Sequence, residues 1–277
     1  MIYLNAEVVS GLGEDTFWTW FHREFSTSSF KIPNILNNDD ILLRYSTLGF
    51  LPIPGKQVAL CWELYLDMKE EFQTSQWDSV IDKIKECAMY STYRTVATDS
   101  TIRFYQEFGS VEIIPIGVDT DLFKPLGDKK TLCKKYNIPS NKRVGIWVGT
   151  NHPMKGYSDL IQYAEANPEI YWIVVWKSQA DSSLMTNASN FVRISQKEMV
   201  ELMNCADFFL STSRLKPFYM VEWEAMACNL PMVIVGKKPK DFTPSSEPRN
   251  DVFSFGWDRK SVKKKWEEFL NERGVKW

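Results

Sequence analysis

The sequence predicts an α/β protein built from two Rossmann-like, doubly wound parallel-sheet domains that face each other across a cleft. Three observations carry this expectation. Short apolar runs alternate with amphipathic stretches along the chain, the rhythm of strands joined through helices that cover both faces of a parallel sheet. One run, Ile170–Trp176 (IYWIVVW), is apolar throughout, as a strand buried on both faces must be. The rhythm breaks between Lys124 and Ser140, where Pro125, Gly127 and Pro139 lie in a polar stretch that reads as a join.

Taken in order, Ile2–Val9 reads as a buried strand, then Gly11-Leu12-Gly13 as a turn. A helix over Glu14–Phe25 puts Phe17, Trp18, Phe21 and Phe25 on one side. Further strands are expected at Asp40–Tyr45, Gln57–Trp62, Arg94–Thr98 and Val111–Ile116, with helices at Trp77–Tyr90 and Ser100–Phe108. The second half gives strands at Arg143–Val148, Ile170–Trp176, Asn190–Ile194, Phe208–Leu210 and Pro231–Val235. Its helices fall at Tyr157–Asn167, Gln196–Asn204 and Val221–Cys228. Lys237–Pro248 is a Pro- and Ser-rich loop, and Asp258–Arg273 an amphipathic helix with Val262, Trp266, Phe269 and Leu270 on its apolar face. The expected domains are 1–124, 125–257 and a C-terminal helix, 258–277, packing back on the first.

Bulk properties narrow the function. A formal net charge of −2 over 277 residues gives no large nucleic-acid footprint. The five cysteines are odd in number and lack metal-ligand spacing, which points to a reducing, cytoplasmic setting and against a disulfide framework or zinc site. There is no basic region leading into a long apolar stretch, and no run of about 18 apolar residues, so neither a signal peptide nor stable membrane insertion is expected. The chain has 11 Trp, 11 Tyr and 17 Phe. Such rings serve a core or a carbohydrate platform, and composition leaves both open.

Four segments together resemble the retaining glycosyltransferases of family 4, which adopt the GT-B fold. Ile114–Pro125 (IPIGVDTDLFKP) is similar to that family's interdomain signature. Val148–Gly156 (VGTNHPMKG) resembles its glycine loop and Lys-Gly pair, Val192–Ser213 its strand–helix–strand beside the nucleobase, and Glu224–Val233 (EAMACNLPMV) its Glu-Ala-Met-Ala helix. Residues 95–235 are covered in register. The first ninety match in layout, with Gly11 and Gly13 where the family keeps its first glycine-rich loop.

A sugar nucleotide presents a diphosphate, which is met by backbone N–H groups, a helix N-terminus and a cation. Gly149, Thr150, Lys155 and Gly156 lie between a strand and a helix and can supply all three, or they form a surface loop with a solvated lysine. The resemblance implies the donor site. It also implies ribose hydroxyl contacts at Glu224 rather than Glu222, base contacts at Arg193 and Ile194, and donor contacts at Lys216, Phe218 and Tyr219. Lys155 leads, with Lys216, as the group that stabilises the leaving diphosphate. No metal is required where cations do this work. Asp119 and Asp121 have metal-motif spacing, but they read as turn and cap residues. The donor is a nucleotide-diphosphate sugar of UDP or GDP type, and no other cofactor is expected.

Three departures cluster around the sugar. Thr150 stands where the family has Arg, leaving His152 or Lys216 to supply a second cation. Lys216-Pro217-Phe218-Tyr219 replaces Glu-Gly-Phe-Gly, so the Glu-x7-Glu motif is degenerate. Trp62 and Glu63 stand where the family often keeps a His. Lys216 fits an altered donor, by contact with a phosphate or uronate, or pairs with a nearby acid. Loss of catalysis would leave a nucleotide-binding protein. Lys237, Lys238, Lys240, Arg259, Lys260 and Lys263–Lys265 form a basic C-terminal surface, either solvated or suited to an anionic membrane or DNA. The acceptor therefore stays open between a glycan, a lipid-linked sugar, a protein and a DNA base, the last in the manner of phage enzymes. A sugar-nucleotide epimerase fits less well, because its acid/base carboxylates and histidines are missing.

Overall fold

The computed structural model describes residues 1–5, 13–28, 32–178, 185, 187–215, 219–236 and 244–275. The chain packs as two units. Unit 1 takes Met1–Gly117 together with the chain from Arg259 onward, and unit 2 is Val118–Asp258.

In unit 1, strands β1 (Ile2–Asn5), β2 (Ile41–Tyr45), β3 (Lys56–Leu60), β4 (Tyr93–Val96) and β5 (Glu112–Ile113) form one parallel sheet in that order. An additional bridge changes the topology. The Leu4 N–H donates to the Ser28 carbonyl at 3.0 Å and the Ser28 N–H to the Ile2 carbonyl at 2.9 Å. On the opposite edge of β1, the Met1 carbonyl accepts from the Ile41 N–H at 3.1 Å. The chain therefore steps to one side of β1 before crossing to β2 on the other, and strand order reverses at β1.

The period of two along each strand divides its side chains between two cores. Ile2, Leu4, Ile41, Leu43, Val58 and Leu60 meet Phe17, Trp18, Phe21 and Phe25 of α1 (Gly13–Phe25). The same core takes in Val262, Trp266, Phe269 and Leu270 of the last helix, Arg259–Glu272. On the opposite face Ala59, Cys61 and Val96 pack on Leu66 of α2 (Tyr65–Phe72) and on Ile81, Ile84 and Cys87 of α3 (Asp78–Tyr90).

Three expectations change here. Ser100–Phe108 is two 3₁₀ turns, Asp99–Phe104 and Gln106–Phe108, rather than one helix. Its Thr101 hydroxyl donates back to the Thr98 carbonyl at 2.8 Å, the local side-chain bond that competes with helix. The strand expected over Val111–Ile116 shrinks to Glu112–Ile113. Helix α2 had not been expected. The Ile2–Val9 strand is described only as far as Asn5, and Gly11 lies outside the described residues.

In unit 2, strands β6 (Val144–Gly149), β7 (Tyr171–Trp176), β8 (Ala188–Val192), β9 (Phe208–Ser211) and β10 (Met232–Ile234) are also parallel. Their order is β10-β9-β6-β7-β8, so the sequence direction reverses between β6 and β9. Helices α5 (Tyr157–Ala166), α6 (Gln196–Cys205) and α7 (Met220–Ala227) connect them, α4 (Lys129–Lys135) precedes β6 and α8 (Pro248–Ser254) follows β10, and the Arg259–Glu272 helix is α9. Neither α4 nor α8 had been expected, although both carry start signals. Asp128 caps α4 by accepting the Thr131 N–H at 3.0 Å, and Pro248 opens α8. Capping-box geometry at Ser195 and Glu198 starts α6.

The aromatic abundance goes largely to the cores. Trp147, Tyr157, Trp172, Trp176 and Phe208 form one cluster in unit 2, and Trp266 is fully buried in unit 1. The lysine-rich C-terminal surface is partly neutralised. Lys263 pairs with Glu24 at 2.9 Å and Lys264 with Glu268 at 3.7 Å, while Lys237, Lys238 and Lys240 lie outside the described residues. Asp119 is a turn residue, its carboxylate accepting the Asp121 and Leu122 N–H groups at 3.2 and 3.0 Å. The five cysteines are free and buried, and no described helix is long and apolar enough to cross a membrane.

Candidate functional site

Open parallel sheets bind ligands beyond the carboxyl ends of their strands, at the point where strand order reverses. In unit 2 that point lies between β6, ending at Gly149, and β9, ending at Ser211. The segments leaving these two ends are laced together. The Arg214 N–H donates to the Met154 carbonyl at 3.0 Å, and the Thr212 hydroxyl donates to the Lys155 carbonyl at 2.6 Å. Gly156 takes a left-handed conformation at φ 63°. A Cβ there would stand 2.1 Å from the Thr212 carbonyl oxygen, so both the dihedral and the space demand glycine. Gly149 is pressed likewise, with 2.6 Å from a would-be Cβ to the Trp147 ring.

Gly156 is also the residue before α5, and no side chain caps that helix start. Its first N–H groups and the positive end of the helix dipole are the donors an anion uses. Lys155 is half-buried, and its Nζ stands 3.0 Å from the centre of the Tyr219 ring, a cation–π contact. Tyr219 is held in turn: its N–H donates to Glu222 Oε2 at 2.7 Å, while the Ser211 hydroxyl donates to Glu222 Oε1. Lys155, Ser211, Thr212, Ser213, Tyr219 and Glu222 line one small hollow.

The two glutamates of α7 therefore divide their work. Glu222 is 2% exposed and capped into the fold. Glu224 is half-buried on the side of Cys228, whose thiol is pushed up to about 12 by burial and by the Glu224 charge. A second hollow of about 490 Å³ is lined by Asn151, His152, Pro153, Tyr157, Ser158 and Arg214 among others. It is the larger of the two, the other measuring about 10 Å³, and its Arg214 is paired with Asp159 at 3.3 Å.

The remaining candidates are placed as follows. Thr150 and Ile194 are half-buried and Arg193 is exposed. Arg193 has φ 52°, uncommon for a residue with a side chain, and its N–H continues the β7–β8 edge by donating to the Trp176 carbonyl at 3.0 Å. His152 Nδ1 accepts the Met154 N–H at 3.2 Å, so that nitrogen caps the turn. In unit 1, Gly13 opens α1. Trp62 is 7% exposed and stacks on Trp18 at 6.1 Å, which makes it a core ring; Glu63 accepts the Ser46 hydroxyl at 2.7 Å. Lys216 and Phe218, like Gly11, lie outside the described residues. The sequence reading missed Trp147, Thr212 and Glu222 as parts of the site. The Ser211-Thr212-Ser213 run after an apolar strand is the signal that could have found two of its hydroxyls.

Residues 128–239 match the family model of glycosyl transferases group 1. A D-inositol 3-phosphate glycosyltransferase of Mycobacterium tuberculosis is 25% identical over 139 residues, a match covering 44% of this chain and 28% of that relative's length. HepE of Anabaena, solved with UDP-glucose, superposes with a TM-score of 0.63 at 14% identity, covering 99% of this chain and 95% of that one. A glycosyltransferase from Rickettsia africae gives a TM-score of 0.65 at 13% identity, covering 98% and 97%. The fold is thus GT-B-like, with two parallel-sheet α/β units of five strands each among the described residues, and unit 2 carries the match to glycosyl transferases group 1.

Proposed function

We propose that the chain is a glycosyltransferase that moves a sugar from a nucleotide-diphosphate sugar to an acceptor, with unit 2 holding the donor. The observation that carries this reading is the placement of Lys155 and the uncapped start of α5 at the order reversal of the sheet. A cation, a helix start without a side-chain cap and a helix dipole meet there, the set that stabilises charge on a departing diphosphate.

In this reading the Lys155 ammonium and the first N–H groups of α5 hold the diphosphate. Glu224 accepts from the ribose hydroxyls, and the Arg193–Ile194 segment borders the base. The bond from the sugar to the diphosphate breaks and the acceptor hydroxyl arrives on the face the diphosphate vacates, passing its proton to the departing diphosphate, so that the stereochemistry is retained. The protein contributes positioning and charge stabilisation rather than a covalent nucleophile. HepE was solved with UDP-glucose, which makes UDP-sugars the first donors to test.

A thermal-shift panel of UDP-, GDP- and ADP-sugars tests the reading. Selective stabilisation by one nucleotide class, lost in Lys155→Ala, is the expected result. No stabilisation by any sugar nucleotide would overturn it.

A further inference from the structure

The Lys155 backbone is tied to the core of unit 2 by a relay of two hydrogen bonds. The Trp147 indole Nε1–H donates to Thr212 Oγ1 at 2.8 Å. The Thr212 hydroxyl in turn donates its own proton to the Lys155 carbonyl at 2.6 Å. Trp147 is 2% exposed and Thr212 1%. In so dry a setting each bond is strong and the loss of either partner is costly.

The surroundings leave the Lys155 turn no other seat. Its next residue, Gly156, has its Cα against the Thr212 carbonyl. From the other side, a Cβ on Gly236 would come within 2.0 Å of the Ser213 carbonyl oxygen. Residues 211–213 therefore run between two glycine backbones with no side chain separating them. Lys155 is fixed at both ends, its carbonyl by Thr212 and its ammonium by the Tyr219 ring.

We propose that Thr212, held by the Trp147 indole, is a positioning residue for the diphosphate subsite. Its hydroxyl sets where the Lys155 ammonium and the start of α5 stand. This rests on the reading of Lys155 as the diphosphate cation. A misplacement of about 1 Å in such a group is enough to cost up to 10²-fold, and this hydroxyl is the side-chain bond that holds the Lys155 carbonyl.

The test is the affinity of UDP and of uridine, with GDP and guanosine in parallel, measured by calorimetry on the full chain. Thr212→Val removes the hydroxyl at nearly constant volume, Thr212→Ser restores it, and Trp147→Phe removes the indole N–H while keeping a ring. The expected result is a roughly 10-fold loss of diphosphate affinity in T212V, with nucleoside affinity within twofold of the parent. T212S should recover the parent value, and W147F should fall between. In the K155A background, T212V should cost less than in the parent, because only the start of α5 is then left for the hydroxyl to place. Equal losses for diphosphate and nucleoside would mark a general loosening and overturn the proposal, as would parent-like diphosphate affinity in T212V. If K155A itself leaves diphosphate binding intact, the donor-site reading fails and the positioning role fails with it. An impaired K155A beside a parent-like T212V removes the positioning role alone.

Discussion

Lys155 and Tyr219 meet face-on, the ammonium 3.0 Å from the ring centre, although the residues belong to segments leaving different strands. The ring gives the charge a partner of modest strength, about 0.5–2 kcal/mol depending on desolvation. A diphosphate offers the same ammonium a charge-assisted bond worth about 1.5–3 kcal/mol. The contact thus keeps the side chain ordered while leaving the ligand the stronger claim. Lys155→Met, which keeps the aliphatic stem, should lower diphosphate affinity by about 10- to 100-fold. Its unliganded melting temperature should fall by no more than about 2–4 °C. Calorimetry with UDP and a thermal melt check the two halves.

Gly156 and Gly274 share a left-handed backbone, with φ 63° and 64°, and differ in surroundings. A Cβ on Gly274 meets nothing within 4 Å, whereas one on Gly156 meets the Thr212 carbonyl at 2.1 Å. Gly274→Ala should cost only the dihedral strain, about 1–2 kcal/mol. Gly156→Ala should cost a further 1–3 kcal/mol or so, the range typical of overpacking. Urea midpoints of the two variants measure the difference, and equal midpoints would contradict the close backbone approach at the site.

Glu201 accepts from both the Lys135 ammonium and the Tyr136 hydroxyl, and these bonds, Lys135 first, hold its carboxyl below the usual carboxylate range. A depressed folded-state value means that the stabilisation is complete above the unfolded value and disappears as pH falls through the folded one. Glu201→Gln should therefore unfold at lower urea than the parent at pH 7. The gap between their urea midpoints should narrow as the pH is taken below the ordinary carboxylate value and through the depressed one.

All five cysteines are buried. Burial pushes the Cys87 thiol up to about 11 and the Cys205 and Cys228 thiols to about 12. The reactive species is the thiolate. A thiol reagent at pH 8 should therefore label the native protein at a small fraction of the rate seen in denaturant, where all five should react. Rapid native labelling of even one thiol would contradict this packing.

How much of this was legible beforehand depended on sequence distance. The Tyr171–Trp176 strand of unit 2 stands out because an unbroken apolar run of that length, short for a helix, suits a strand covered on both faces. The Lys155-Gly156 turn was legible because both residues sit next to each other in a strand-to-helix connection. Thr212 was not, since its bonds to Trp147 and Lys155 span 65 and 57 residues, and no local pattern announces which hydroxyl will lie beside which turn. Glu222 was read as the lesser of two glutamates. Its cap depends on Ser211, eleven residues earlier, a partner visible only once β9 and α7 are packed. The Ser28 bridge was hidden for a related reason, being a single paired residue without a strand-length run around it.

Unit 1 is discontinuous, since its core needs Val262, Trp266, Phe269 and Leu270 from beyond unit 2. On a ribosome that delivers the chain from its beginning, the 118–258 stretch has every strand it requires before α9 is made. Met1–Gly117 must wait with Phe21, whose ring ends 5.2 Å from Trp266, still wet. The later unit by position is thus the earlier one able to close, and the first-made aromatic surface is the last to be sealed. Until then it is an adhesive face, and a stalled or clipped chain lacking α9 would carry that liability permanently.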